Sequence, residues 1–223
     1  MKESSMFGVP DREAQSGRIR TGAEALSRLE QLGFTPPTIV RDAVQHGAGT
    51  ARSVTPWHPV GYGGIRMWAE TVSALAEHGR RCDWEHEAVK GVDLVTNHRT
   101  GVAVIVTAGD AATGLEDYRP DARYERPEMV QAIVNGTLDT LWDAEHGRAD
   151  WQVWLLLHNV VANQGDVAAE LSLPAAIGDG GHVTGWVERL LIPADDDRDG
   201  NRRTMDAPAV PPAPVVTVRR RAN

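Results

Sequence analysis

A single cysteine, Cys82, rules out an intramolecular disulfide, so this fold must be held by burial and hydrogen bonding, as expected in a reducing cytoplasm. Lysine is nearly absent: only Lys2 and Lys90 occur among 23 basic residues. With abundant Ala, Gly and Val, that skew fits a GC-rich bacterial coding sequence and concerns origin, not mechanism. Two Phe and three Tyr leave seven Trp to supply most of the aromatic packing. No stretch approaches the about 18 apolar residues of a membrane span, and the first thirty residues lack the apolar core of a secretion signal. The expectation is a soluble, cytoplasmic protein with no membrane partner. The net charge of −8, with no interior Arg/Lys run, disfavours nucleic acid as a partner.

What is present is patterned for an α+β domain. Residues 151–193 form three apolar runs separated by Gly/Asn/Asp-rich turns, the pattern of an antiparallel meander. In its second run Val167, Ala169, Leu171 and Leu173 alternate with Ala168, Glu170 and Ser172. Residues 92–97 and 102–107 flank a short polar turn and predict a hairpin whose second strand is apolar on both faces. Helices are predicted over about 65–78 and 127–142. Upstream, Thr21 with Glu24 spells a capping box before Ala25, Leu26, Leu29 and Leu32, and a second short helix fades at Gly47 and Gly49. The expected architecture is a mostly antiparallel sheet of about five strands with helices on one face, preceded by a small N-terminal helical pair. Residues 1–18 read as a disordered arm, 19–50 as a small helical segment and 51–193 as the core domain. Residues 194–223 read as an Asp/Pro-rich linker and tail, with 215–218 able to dock as an edge strand.

Several residue groups could carry chemistry. Asp195, Asp197, Asp199 and Asp206, with Gly200, match the oxygen-ligand spacing of a calcium loop. Pro193 and Pro208 stand where the flanking helices should be, so a solvated linker is favoured and no cofactor is expected. His78, Cys82 and His86 have the spacing of metal ligands on one helical face, but Gly79 interrupts that helix. Gly109, Asp110, Thr113 and Gly114 follow a buried strand directly; their loop could hold an anion, with Asp110 as base. Asp110 could equally serve there as a metal ligand, and the loop matches neither the P-loop nor the dinucleotide fingerprint. Glu170 and Glu188 lie on consecutive strands and could divide acid and base roles, although Arg189 must point away from Glu188. The bland alternative is polar residues on an exposed sheet face. Trp57 and Tyr62, in a Pro/Gly-rich loop, are expected either to pin that loop to the body or to display a binding surface.

Two phrases, TGVAVIVTAGDAATG at 100–114 and AAELSLPAAIGDGGHVTGWVERLLIP at 168–193, resemble a diffuse group of bacterial proteins associated with plasmids, prophages and integrated elements. The resemblance covers about residues 20–193 and implies no activity, so it transfers no catalytic residue. The leading expectation is a non-catalytic binding or accessory protein of a mobile element that acts through contacts with another protein. The alternative is a small hydrolase or nucleic-acid-processing enzyme using Asp110, Thr113, Glu170 and Glu188.

Overall fold

The computed structural model describes residues 17–136, 151–160 and 167–193. The calcium-type loop, the Asp/Pro-rich linker and the 215–218 segment lie outside these residues. Seven strands form one mixed sheet: β1 (Arg18–Arg20), β2 (Trp84–Val89), β3 (Val92–Asn97), β4 (Val102–Ala108), β5 (Gln152–Val160), β6 (Val167–Ile177) and β7 (Val183–Leu191). Their order is β1-β7-β6-β5-β4-β3-β2. The helices are α1 (Gly22–Leu32), α2 (Ile39–Arg52), α3 (Tyr62–Gly79) and α4 (Glu128–Val134).

The hairpin β3–β4 and the meander β5–β6–β7 are antiparallel, in keeping with their turn chemistry. These two units join differently from expectation. β4 and β5 are parallel, with Val104 opposite Trp154 and Ala108 opposite His158. A parallel neighbour requires a crossover connection between the two strands rather than a tight turn. β1 also runs parallel to β7. The sheet is therefore larger than five strands and mixed.

Two strands escaped the sequence pattern. In β2 (WEHEAV) only Trp84 is buried, because an edge strand needs few apolar positions. Trp84 stacks on Phe34 at 4.1 Å, and its indole N–H donates to Gly33 O at 3.0 Å. β1 has three residues, too few for any periodicity, and lies where a disordered arm was expected to end.

One sheet face carries α1, α2 and α3 over Val95, Val104, Trp154, Leu156, Leu171 and Leu190. The opposite face carries α4, through Val130 and Ile133, over Ala103, Ile105, Leu155, Leu157 and Trp186. Helices thus lie on both faces, not one. α1 begins at Gly22 behind Thr21, whose carbonyl accepts from the Glu24 and Ala25 amides; the capping-box side-chain bond is not formed. α2 runs past Gly47, where the sequence pattern faded. A Cβ on Gly47 would sit 2.1 Å from Thr71 Oγ1 and 2.6 Å from Met67 O, so the glycine lets α2 and α3 approach closely. α3 starts at Tyr62, three residues earlier than its apolar face announces.

Candidate binding crevice at the parallel strand ends

The chain leaves β4 at Gly109, makes an excursion, and returns beside the point of departure. The Asp110 amide donates to Asp121 O at 2.9 Å and the Arg123 amide to Ala108 O at 3.0 Å, with a bridge between Gly109 and Ala122. The sequence points to this loop as a place for chemistry, but Asp110 and Gly114 are taken up by internal hydrogen bonds. Asp110 Oδ1 accepts from the Ala112 amide at 3.0 Å and Oδ2 from the Asp121 amide at 3.1 Å, so both oxygens are spent on the turn. Thr113 is buried, with its Oγ1 unpartnered and close over Gly109. Gly114 has φ +77°, and its amide donates to Glu170 Oε2 at 2.9 Å.

Glu170 and Glu188 are not neighbours in function. Glu170 is fully buried on the α4 side, where Ser172 Oγ donates to it and Arg189 grips both its oxygens. Glu188 lies on the other face, paired with Arg20 and, at 3.1 Å, with Arg28. Consecutive strand residues point oppositely, as Arg189 and Glu188 do. Both sheet faces are covered, so the exposed-face alternative also falls. Asp110, Thr113, Glu170 and Glu188 thus form no common centre.

The excursion's second limb is clamped to β7: Trp186 Nε1 donates to Pro120 O at 3.0 Å, and the Val183 amide to Asp121 Oδ1 at 3.2 Å. Past this clamp the chain places Arg123, Tyr124 and Arg126 along a crevice of about 650 Å³. Its floor is the carboxyl end of the parallel pair, from Ile105–Ala108 on β4 and His158–Val160 on β5. The facing wall is the beginning of α3, with Gly61, Gly64, Ile65 and Trp68. Ligand sites in sheets with parallel strands favour such a crevice outside the carboxyl ends, and the volume is ordinary for a small-molecule site.

The crevice is cationic and incompletely satisfied. Arg126 Nε and Nη2 and His158 Nε2 are buried without hydrogen-bond partners. The Arg126 backbone is fixed, its amide donating to Gly181 O at 3.1 Å and its carbonyl accepting from Gln131 Nε2 at 2.8 Å. Burial lowers the Arg126 pKa to about 10, against a partial pull upward from Asp121. His158 is only 4% exposed; burial, and then the nearby Arg123 charge, lowers its pKa to about 4. It is neutral at pH 7. Arg123 Nη2 donates to Asn159 Oδ1 at 2.8 Å. Asp93 also lines the crevice and is held by His86 at 2.8 Å.

Trp57 does not pin its loop: it is 94% exposed, beside a fully exposed Val60. Tyr62 stacks on His58 at 4.9 Å. His78, Cys82 and His86 do not converge; Cys82 Sγ donates to Thr35 O and His86 serves Asp93. Among the described residues, one group brings three potential metal donors within 4.8 Å, and it is Glu85, Glu87 and His98. Glu87 in that group pairs with His98 and accepts from Thr96 Oγ1 at 3.0 Å. Sequence reasoning missed it because the period-2 signal of β2 was hidden by its polarity. Arg123, Arg126 and His158 were missed because only the return of the 109–126 excursion brings them to one place.

No helix among the described residues is long and apolar enough to cross a membrane. In comparisons with protein-family models, curated proteins and solved structures, nothing matches this chain.

Proposed function

We propose that this chain is a non-catalytic binding protein whose ligand is a small anion-bearing molecule held in the crevice between α3 and the 123–127 segment. One observation carries the reading. Two buried donor positions of Arg126, and the buried Nε2 of His158, lack partners inside the protein. Leaving such groups unsatisfied costs about 1–3 kcal/mol each, more when charged, and a bound acceptor removes that cost. The hydrolytic alternative loses support because its three carboxylates are committed elsewhere, Asp110 to backbone amides, Glu170 to Arg189 and Glu188 to Arg20 and Arg28, and Glu188 lies on the opposite sheet face from Glu170.

The test is thermal unfolding against a panel of sulfate, phosphate and small carboxylates. Ligands that bind only the folded state raise the midpoint in proportion to RT ln(1 + [L]/Kd). The expected result is stabilisation that disappears in Arg126→Gln. A panel that stabilises wild type and variant equally, or neither, removes the crevice as the site.

A second reading, contact with another protein, is favoured by the exposed tip bearing Trp57 and Val60. Solvent-facing apolar side chains grouped in this way mark interaction surfaces. In this reading the double variant Trp57→Ser, Val60→Ser loses the partner that wild type retains from source-cell lysate, with unchanged thermal stability. Equal retention by both proteins discards it.

A further inference from the structure

The two walls of the crevice differ in chemistry, and the difference narrows the ligand. α3 is an 18-residue helix whose N-terminal end lines the crevice, and its first turn has neither a side-chain cap nor an acidic residue. Of its first four amides, those of Tyr62, Gly64 and Ile65 already donate to Pro59 O and Gly61 O, so what this end offers an anion is the positive end of the helix dipole. Around them the sequence is Gly61-Tyr62-Gly63-Gly64. A Cβ at Gly61 or Gly64 would meet nothing within 4 Å, and one at Gly63 only Ala51 O at 4.0 Å. Gly61 is required by its left-handed φ of +85°, whereas Gly63 and Gly64 answer to no packing constraint and leave the backbone there uncovered. The opposite wall supplies Arg126, with unpartnered buried donors, and the floor supplies His158, more than nine-tenths buried with an Nε2 that has no partner in the protein.

Above this polar floor the rim is aromatic. Trp68 stands on the α3 wall, 37% exposed, and Tyr124 on the other wall, 67% exposed. Exposed aromatic side chains on two walls of one crevice offer stacking surface for a flat ring. An inorganic anion would use only the polar end. We infer that the crevice binds a free nucleotide, its phosphate between the start of α3 and Arg126, with His158 as a neutral hydrogen-bonding partner, and its base at the Trp68–Tyr124 rim. This inference rests on the crevice being the anion site proposed above.

Calorimetric titration of the full chain at low ionic strength tests it with adenosine, guanosine and uridine 5′-monophosphates, adenosine, inorganic phosphate, sulfate and a 5′-phosphorylated tetranucleotide. The expected result is that at least one monophosphate binds tenfold or more tighter than either phosphate or adenosine. Trp68→Ala should weaken the monophosphate by roughly tenfold and leave phosphate unchanged, while Arg126→Gln weakens both. Trp68 is 37% exposed, so its variant loses some buried apolar surface; thermal melts of both proteins fix a temperature at which each is folded, and binding is compared there, which separates binding from folding. Phosphate and sulfate binding through Arg126 with no gain from the nucleoside overturns the nucleotide and leaves the anion crevice standing. No binding by any anion overturns both. Tighter binding of the tetranucleotide than of every monophosphate overturns the assignment to a free nucleotide.

Discussion

Arg189 on β7 and Glu170 on β6 form a two-pronged buried ion pair, Nε to Oε1 at 3.0 Å and Nη2 to Oε2 at 2.7 Å. The remaining Arg189 donors are used as well: Nη1 reaches Tyr118 O at 2.7 Å and Nη2 also reaches Leu115 O at 3.1 Å. With Ser172 Oγ and the Gly114 amide on Glu170, the pair fastens the 109–126 excursion to the sheet. What looked from sequence like a catalytic carboxylate is a fastening for the loop that forms one crevice wall.

Removing one partner strands a buried charge. Arg189→Met is expected to destabilise by about 3–5 kcal/mol in urea unfolding, and to expose 115–118 to protease. Adding Glu170→Leu should recover part of the loss, since paired apolar residues can replace a buried ion pair. A single variant within about 0.5 kcal/mol of wild type would show that the pair does not hold the loop.

His158 makes stability pH-dependent in one window. Its folded pKa is about 4, below the ordinary 6.5, so between those values the unfolded chain binds more protons. Stability attributable to His158 is complete above about 6.5 and is lost as pH falls toward 4. Relative to His158→Gln, wild type should lose about 2 kcal/mol between pH 7.5 and pH 5. Equal pH slopes for the two proteins would refute the burial of a neutral imidazole.

Gly47→Ala sets two effects against each other. Alanine in a helix gains about 1 kcal/mol over glycine. Its methyl would meet the Met67 carbonyl, a backbone atom that cannot swing away, and overpacking costs about 1–3 kcal/mol. The clash should win, with net destabilisation in thermal melts. A raised midpoint would mean that α2 and α3 separate easily.

Arg126→Met should stabilise the ligand-free protein while abolishing anion binding. The methionine keeps an apolar stem and removes buried donors without partners. A gain of about 1 kcal/mol corresponds to a midpoint shift of roughly 2–4 °C for a domain of this size. A lower midpoint would show that the guanidinium contributes to holding the fold.

Local pattern carried a large part of the fold. The alternation of Val167, Ala169 and Leu171 against Glu170 and Ser172 places the first three on the α1–α3 face and the last two on the α4 face, as observed. The 92–107 hairpin and three of the four helices among the described residues were readable from periodicity and from Gly punctuation. α4 was readable in position, but the described helix ends at Val134. β2 was not readable: an edge strand with one buried Trp has almost no hydrophobic period.

The sequence by itself determined the type of every element except β1 and β2, the two-faced apolar character of β4 and β5, and the opposition of Glu188 and Arg189, because side-chain direction within an element follows from backbone geometry alone. The tertiary structure decided that β5 lies parallel to β4, that α4 and the 109–126 excursion cover the second face, and that Arg123, Arg126 and His158 meet across a separation of up to 35 residues. Sequence spacing says nothing about such a meeting. It depends on where a crossover returns to the sheet, which is set by long-range burial and by the Glu170–Arg189 pair.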